Sequence, residues 1–491
     1  MREKAHRVGE IPATAPRPAR FELGPAHLER VAAWGRASQS MSWVFRPNSA
    51  EDILELFQLA QRHGLSVGLR GGGNSYGDAA CNNEGVLLDL RRFNRILAWN
   101  PATGVIRVEP GVTLEQLWTY ILEDGWWPPV CTGTMKITLG GGVAMNVHGK
   151  NAFKAGPIGE HVLAFDLLLP GGESLTCSPD RHPDLFYAAI GGMGLLGCFT
   201  SLTLQMKRIH SGLLNIYAVA SRHLGEMFGQ FDRLLPESDY LVGWVDGTAG
   251  EPQVGRGQIH QATYLPPGAD PDPQASLRLE RQHLPDTLFG FFPRSLMWRF
   301  MQPAMLPWGV RLVNAGKYRS AAWQDGQRFR QSHAQFHFLL NYFPDWERSV
   351  GPGGLIQYQP FVPAAAAGDV FHDLLRLSQQ RGLPTYLGVL KRHRPDAFLL
   401  THGLDGYSLA LDFRLTAGNR QAVQAMTQAM DEIVLAAGGR FYFAKDSTLR
   451  PQTMRTYLGE AAVAQFKALK RRCDPGELLQ TNLWRRLFET G

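Results

Sequence analysis

Apolar residues along the chain switch repeatedly between helical and strand spacing. In NSAEDILELFQLAQRHG (48–64), Ile53, Leu56, Phe57 and Ala60 share one face of a helix, Asn48 or Ser49 can cap it, and Gly64 stops it. LSVGLR (65–70), GVLLDL (85–90) and GVIRVEP (104–110) read as strands. TLEQLWTYILEDG (113–125) is a second amphipathic helix, opened by a Thr113-x-x-Gln116 capping box. HVLAFDLLLPGGESL (161–175) is a hairpin turning at Pro170-Gly171-Gly172, and 182–206 reads as helix, glycine loop and strand. Beyond residue 210, strand-like runs such as LIQYQPFVP and YSLALDFRL dominate, with one long irregular insertion. GGRFYFAKDS (438–447) returns to the compact texture before a basic amphipathic helix, and residues 1–20 read as a loose arm. The pattern predicts an α+β protein.

At 491 residues the chain exceeds one core and implies two or three domains. Hydrophobic content of 44% and charged content of 19% are those of a globular protein. The +6 balance is mild, and its short basic runs (391–394, 470–472) read as solvated surface. Without a basic stripe interleaved with aromatics, no nucleic-acid partner is expected. Five cysteines, none spaced as CxxC, imply free thiols in a reducing compartment and no metal site. The first residues lack the apolar core of a secretory signal, and no stretch reaches the roughly 20 apolar residues of a membrane span. The expected location is therefore cytoplasmic, soluble or peripheral at the inner membrane.

Glycine carries the candidate chemistry. RGGGNSYGD (70–78) concentrates glycine where each one costs about 0.5–1 kcal/mol in regular structure, so close backbone approach is implied. A second glycine loop lies in TGTMKITLGGGVAMNVHGKN (132–151). Gly192-Met193-Gly194-Leu195-Leu196-Gly197 matches the dinucleotide fingerprint but runs into the strand-like CFTSLTLQM instead of opening a helix, so it is a decoy. Gly149-Lys150 is followed by Asn151 and fails as a phosphate-binding P-loop. The loops at 70–78 and 138–149 read as two strand exits whose amides form anion-binding nests closing on one pyrophosphate; the plain alternative is two tight turns.

Taken in order, RGGGNSYGD, GVLLDL, GVTLEQLW, CTGTMKITLGGGVAMNVHGKN, DLFYAAIGGMGLLG and GGRFYFAKDS resemble the FAD-dependent vanillyl-alcohol-oxidase (PCMH-type) superfamily. More narrowly, they resemble the flavoprotein subunits of decaprenylphosphoryl-β-D-ribose 2′-epimerases. The resemblance implies a two-subdomain FAD-binding domain split in sequence (20–210 and 438–491) around an inserted antiparallel-sheet substrate or cap domain (211–437). It places FAD against Arg70, Gly71, Gly72, Gly73, Asn74, Ser75, Tyr76, Gly77 and Asp78 on one side. Gly133, Thr138, Leu139, Gly140, Gly141, Met145, Asn146, Val147, His148, Phe199 and Tyr442 supply the rest. Asn74 stands where many relatives carry a flavin-linking histidine, so the FAD is expected to be non-covalent.

Lys445, in FAKDS, matches a lysine near the flavin and is the first candidate for the substrate hydroxyl, with Tyr76 and His148 beside it. The plain alternative pairs Lys445 with Asp446 or Asp412. Lys150 and Lys391 match lysines suited to a substrate phosphate. Trp244, Tyr318, Gln357, Gln359, Leu387, Val389, Ser408 and Ala410 match the substrate pocket, and sheet packing is the plain reading of Trp244. Ser408 and Ala410 stand where mycobacterial relatives carry asparagine and cysteine. LFGFFPRSLMWRFMQPAMLPWGV (288–310) reads either as a buried lid or as an interfacial flap. The implied activity is oxidation of a secondary alcohol, at C2′ of a polyprenylphosphoryl pentose, with a nicotinamide-dependent short-chain reductase completing epimerisation. The competing readings are a soluble sugar, alditol or aldonolactone oxidase, a flavin-dependent lipid alkene reductase, and a flavin-stabilised scaffold.

Overall fold

The computed structural model describes residues 20–285, 287–288, 292–343 and 345–489. Most of the loose arm expected at 1–20, and residues 289–291 of the lid or flap segment, lie outside it.

The chain before residue 210 forms two small sheets. In the first, Leu28–Ala32 pairs antiparallel with Gln39–Phe45, and Gln39–Phe45 and Val67–Arg70 run parallel on either side of Val86–Asp89. The Ala50–Arg62 helix packs on it with Ile53, Leu56, Phe57 and Ala60 fully buried, each large side chain stabilising by about 1.5–3 kcal/mol. Its cap is Ser49, whose hydroxyl accepts from the Asp52 amide, and Gly64 follows with φ of +65°. The second sheet is antiparallel, in the order Ile96–Asn100, Val105–Val108, Cys198–Gln205, Val162–Leu168, Ser174–Cys177. The Leu114–Ile121 helix beside it has the expected capping box in both directions. The 192–197 glycines lead into the Cys198–Gln205 strand, as the decoy reading requires.

One expectation fails here. The glycines at 140–142 are not a loop leaving a strand; they lie in the Leu139–Ala144 helix, capped by the Thr138 hydroxyl. Helix is possible despite the glycines because the neighbours demand small residues: a Cβ on Gly140 would stand 2.5 Å from Pro110.

Past residue 210 an antiparallel sheet of nine strands dominates the described residues. Its order is Arg328–Ser332, Leu213–Ser221, Gly257–Tyr264, Tyr240–Val245, Gly388–His393, Gly406–Arg414, Pro360–Pro363, Arg440–Phe441, with Leu355–Tyr358 also pairing Gly406–Arg414. One face is closed by the Leu224–Leu234 helix, whose Met227 and Phe231 meet Gly243 beside Leu390. The opposite face is left for chemistry. The insertion expected to be irregular contains two helices, Met297–Ala304 and Pro307–Trp323, and the second crosses that open face. All five cysteines are free and buried, and no described helix is long and apolar enough to cross a membrane.

Candidate functional site

Strand register puts most of the expected substrate residues on one face. Trp244 lies opposite Val389, which lies opposite Ala410; Lys391 lies opposite Ser408, and Gln357 opposite Asp412. Opposite residues in an antiparallel pair point the same way, and alternate residues share a face. Leu387, two positions before Val389, continues the row beside Asp412, whose amide donates to its carbonyl at 3.2 Å. Gln359 closes the end: its amide nitrogen lies 3.2 Å from both His148 Nε2 and Ser408 Oγ. Tyr318 is not brought in. Its ring takes the Arg256 guanidinium at 4.5 Å, while the neighbouring Lys317 lies 4.2 Å over the Trp244 ring.

The segment after the last sheet strand supplies the other wall. The Tyr76 amide donates to Ala444 O, and Lys445 Nζ sits 3.8 Å over the Tyr76 ring. Asp446 is taken by Arg486, which also clamps Asp78, so neither carboxylate is left for Lys445. Its carboxylate neighbour is Asp412, which accepts from Gln357 at 2.5 Å while its second oxygen stays buried without a partner. Burial lowers the Lys445 amine to about 7, opposed by Asp412 and reinforced by Lys391. Burial raises the Asp412 carboxyl to about 7. Lys150 falls to about 7 and Lys391 to about 8, both from desolvation, with Lys391 adding repulsion at Lys150. Lys150 donates to Phe336 O and caps the Phe336 ring. Lys150 is buried and Lys391 and Lys445 half-buried, and the carboxylate acting on them is Asp412, beside Lys445 alone, an imbalance that favours an anion among them.

His148 packs against His393, His402, Phe361 and Tyr442, with ring centroids 4.8–5.6 Å away. Burial holds His148 and His393 neutral, well below the usual histidine range, and lowers His402 to about 3. The Tyr76 and Tyr442 phenols are pushed up by burial and stay protonated. His393 and His402 were not expected at a site, and Asp412 was expected only as the plain pairing partner of Lys445. The signal was present for two of them: two-residue alternation runs from Lys391 to His393 and from Ser408 through Ala410 to Asp412.

The two glycine segments meet. Thr138 Oγ1 accepts from the amides of Gly72 and Gly141, both at 3.3 Å, and the Asn74 side chain donates to Lys136 O. Several glycines answer to protein, not to a ligand: an added Cβ would lie 2.1 Å from Thr138 Oγ1 at Gly71, 2.5 Å from Lys136 O at Gly72, and 1.6 Å from Asp446 O at Gly77. Gly73 has φ of +67° against the Arg70 guanidinium, which is committed to the carbonyls of Ala32 and Ala80. Phe199 lies in the core against Phe165, and Leu139 and Val147 are buried. What remains for a ligand is a rim. The amides of Gly73, Asn74 and Ser75 have no acceptor among the described residues. Asn146 Nδ2, His148 Nδ1 and Ser447 Oγ are buried without partners, and Gly133 and Met145 are half-buried beside the groove.

Comparison with known proteins identifies the family and its cofactor. Residues 41–178 match the family described as FAD binding domain. The chain is 30% identical over 480 residues to the decaprenylphosphoryl-beta-D-ribose oxidase of Mycolicibacterium smegmatis, covering 94% of this chain and 98% of that one. It is 29% identical to an uncharacterized protein of Streptomyces coelicolor, covering 77% of this chain and all of that one. L-gulonolactone oxidase of Bos taurus is 30% identical, over only 33% of this chain and 36% of its own. A consecutive run of unclaimed amides beside orphaned buried donors and acceptors suits a diphosphate joined to a flavin ring. The chain belongs to the decaprenylphosphoryl-β-D-ribose oxidase family of FAD-dependent oxidoreductases of the PCMH type.

Proposed function

We propose that the chain oxidises a secondary alcohol, the C2′ hydroxyl of a polyprenylphosphoryl pentose, to a ketone. In this reading residues 20–210 and 438–491 hold FAD and 211–437 form the substrate cap. The amides of Gly73, Asn74 and Ser75 hold the pyrophosphate, and Asn146, His148, Met145 and Tyr442 line the flavin. Bound FAD supplies the two-electron acceptor for hydride leaving the carbinol carbon. Lys445, increasingly neutral as pH rises through about 7, takes the hydroxyl proton. The protonated Tyr76 phenol and Gln357 orient that oxygen, and Asp412 stabilises the lysine once it is charged. Lys150 and Lys391 receive the substrate phosphate, while Trp244, Gln359, Leu387, Val389, Ser408 and Ala410 wall the sugar. The ketone then needs a separate nicotinamide-dependent reductase, and the lipid-linked substrate calls for peripheral contact with a membrane.

The observation that carries this reading is a cluster of one buried and two half-buried lysines, Lys150, Lys391 and Lys445, with a single carboxylate, Asp412, acting on Lys445. A neutral lactone or alditol gives no reason to desolvate Lys150 and Lys391 together. The lactone-oxidase relatives keep the second reading in view, but the matches to them cover about a third of this chain. The test is anaerobic mixing of oxidised enzyme with polyprenylphosphoryl ribose and, separately, with L-gulono-1,4-lactone. Bleaching by the first and not the second is expected. Bleaching by the lactone alone would replace this reading with the second.

A further inference from the structure

Four side chains form one hydrogen-bonded line across the open sheet face, and one of them, His393, has no part in the chemistry above. His393 Nε2 lies 2.8 Å from Ser408 Oγ, and the Gln359 amide nitrogen lies 3.2 Å from both Ser408 Oγ and His148 Nε2. All four residues are buried, none more than 6% exposed. Strand register brings them together. Lys391 lies opposite Ser408, so His393, two positions on, shares that face; Phe361 lies opposite Ser408 too, so Gln359 shares it from the other neighbouring strand.

Counting donors shows where the protons sit. An amide nitrogen has hydrogens to give and no lone pair to receive with, so Gln359 donates to both neighbours. His148 Nε2 must therefore be bare. Burial, with Lys391 and Lys445 nearby, keeps the His148 ring neutral, and its one proton is on Nδ1. The Ser408 hydroxyl already accepts from Gln359, and among the described residues its own hydrogen has His393 Nε2 as acceptor. The line thus ends in a buried Nδ1–H on His148 for which the described residues supply no partner. A buried donor left unpaired calls for a group that completes the bond. Bound flavin is such a group: its ring carries acceptors and gains negative charge on taking hydride, so a fixed donor beside it favours the reduced form.

We propose that His393 and Ser408, acting through Gln359, are positioning residues that hold His148 in its Nδ1–H form, so that it donates to the flavin and raises the flavin's reduction potential. The proposal rests on the proposed function only for His148 lining the flavin; it needs no particular substrate. The experiment is the midpoint potential of the flavin in holoenzyme without substrate, equilibrated with a reference dye under slow reduction by xanthine and xanthine oxidase. His393→Phe takes away the acceptor of the Ser408 hydroxyl, and Ser408→Ala cuts the line. Each should make the bound flavin about tenfold harder to reduce, about 30 mV for a two-electron couple. His393→Gln, whose side-chain oxygen can accept from Ser408, should restore the native value to within about twofold in that equilibrium. In a His148→Phe background, His393→Phe should change nothing further, because its effect passes through His148. A packing defect alone would persist in that background, and its persistence would overturn the proposal, as would an unchanged potential in both His393→Phe and Ser408→Ala. A second measurement needs no folded variant of the line: long-range proton–nitrogen spectra of histidine-labelled native holoenzyme should show one buried neutral histidine as Nδ1–H whose signal shifts on flavin reduction. If every buried histidine that responds to reduction carries its proton on Nε2, the Gln359 amide is reversed and the proposal falls. If the potentials behave as expected but polyprenylphosphoryl ribose leaves the flavin oxidised, the substrate reading fails and the role of His393 and Ser408 stands.

Discussion

Lys445 is the residue whose titration the chemistry turns on. Burial lowers its amine to about 7, Asp412 pulls it up and Lys391 pushes it down. The base is the neutral form, so flavin reduction in rapid mixing should rise with pH through about 7 and level off above. Lys445→Met should slow it by about 10²–10⁴-fold with FAD retained. Asp412→Asn removes the group that favours the charged amine, so the midpoint should move below 7; a midpoint that stays put would show that Asp412 does not act on the lysine. At position 74 the side chain is an amide donating to Lys136 O, which offers no nucleophile. Acid precipitation should therefore leave the yellow colour in the supernatant, and colour in the pellet would contradict the non-covalent reading. The lysines and glutamines of the cluster were legible because short flanking motifs carry them. His402, a lone histidine among loop residues, has no local signature, and only the packing of Tyr442 and His148 on it reveals it.

Elements with local causes were read correctly: the Ser49 cap, the Thr113–Gln116 box and the Gly172 turn with φ of +94° are each settled within four residues. The Leu139–Ala144 helix was misread because its causes are tertiary: Pro110 crowds Gly140, and Thr138 serves its own cap and the Gly72 amide together. Three substitutions probe these contacts. Gly77 has φ of −99°, which alanine adopts freely, so Gly77→Ala would fail only through the 1.6 Å contact with Asp446 O. A backbone atom cannot swing aside, so a loss of about 3 kcal/mol or more is expected, with FAD lost as the C-terminal segment lifts. Gly133→Ala meets only Leu340 at 3.5 Å and should be neutral in thermal unfolding. Thr138→Val leaves two amides without their acceptor and should cost about 1–3 kcal/mol. If Gly77→Ala unfolds together with Gly133→Ala and the native protein, the contact of the 70–78 segment with Asp446 is not what holds the groove.

At the scale of the whole molecule, neutral histidines sit where Trp127 of the first 210 residues meets Tyr240 of the large sheet. His333 and His337 tilt against Trp127, and His337 also meets Tyr240 edge-on; both are fully buried, each with one ring nitrogen lacking a partner. Burial lowers His333 to about 3 and His337 well below its ordinary 6.5. A depressed folded-state value means their stabilisation is complete above pH 6.5 and is lost as acid protonates the unfolded chain first. Each contributes about 1.4 kcal/mol per pH unit of lost stability between roughly pH 6 and 4. Asp412 and Asp431, raised to about 7 and 8 by burial, act the other way, since acid neutralises them in the folded state first. The net slope therefore mixes both signs, and the difference between two proteins isolates one histidine. His337→Phe keeps a ring among Trp127, Tyr240 and Phe338 and removes the proton-binding nitrogen. Urea unfolding of FAD-saturated protein should place the two within about 1 kcal/mol of each other at pH 7.5. The variant should pull ahead by about 1.4 kcal/mol for each unit below pH 6, and parallel curves from pH 7.5 to 5 would mean that His337 is already protonated, or reached by water, in the folded protein.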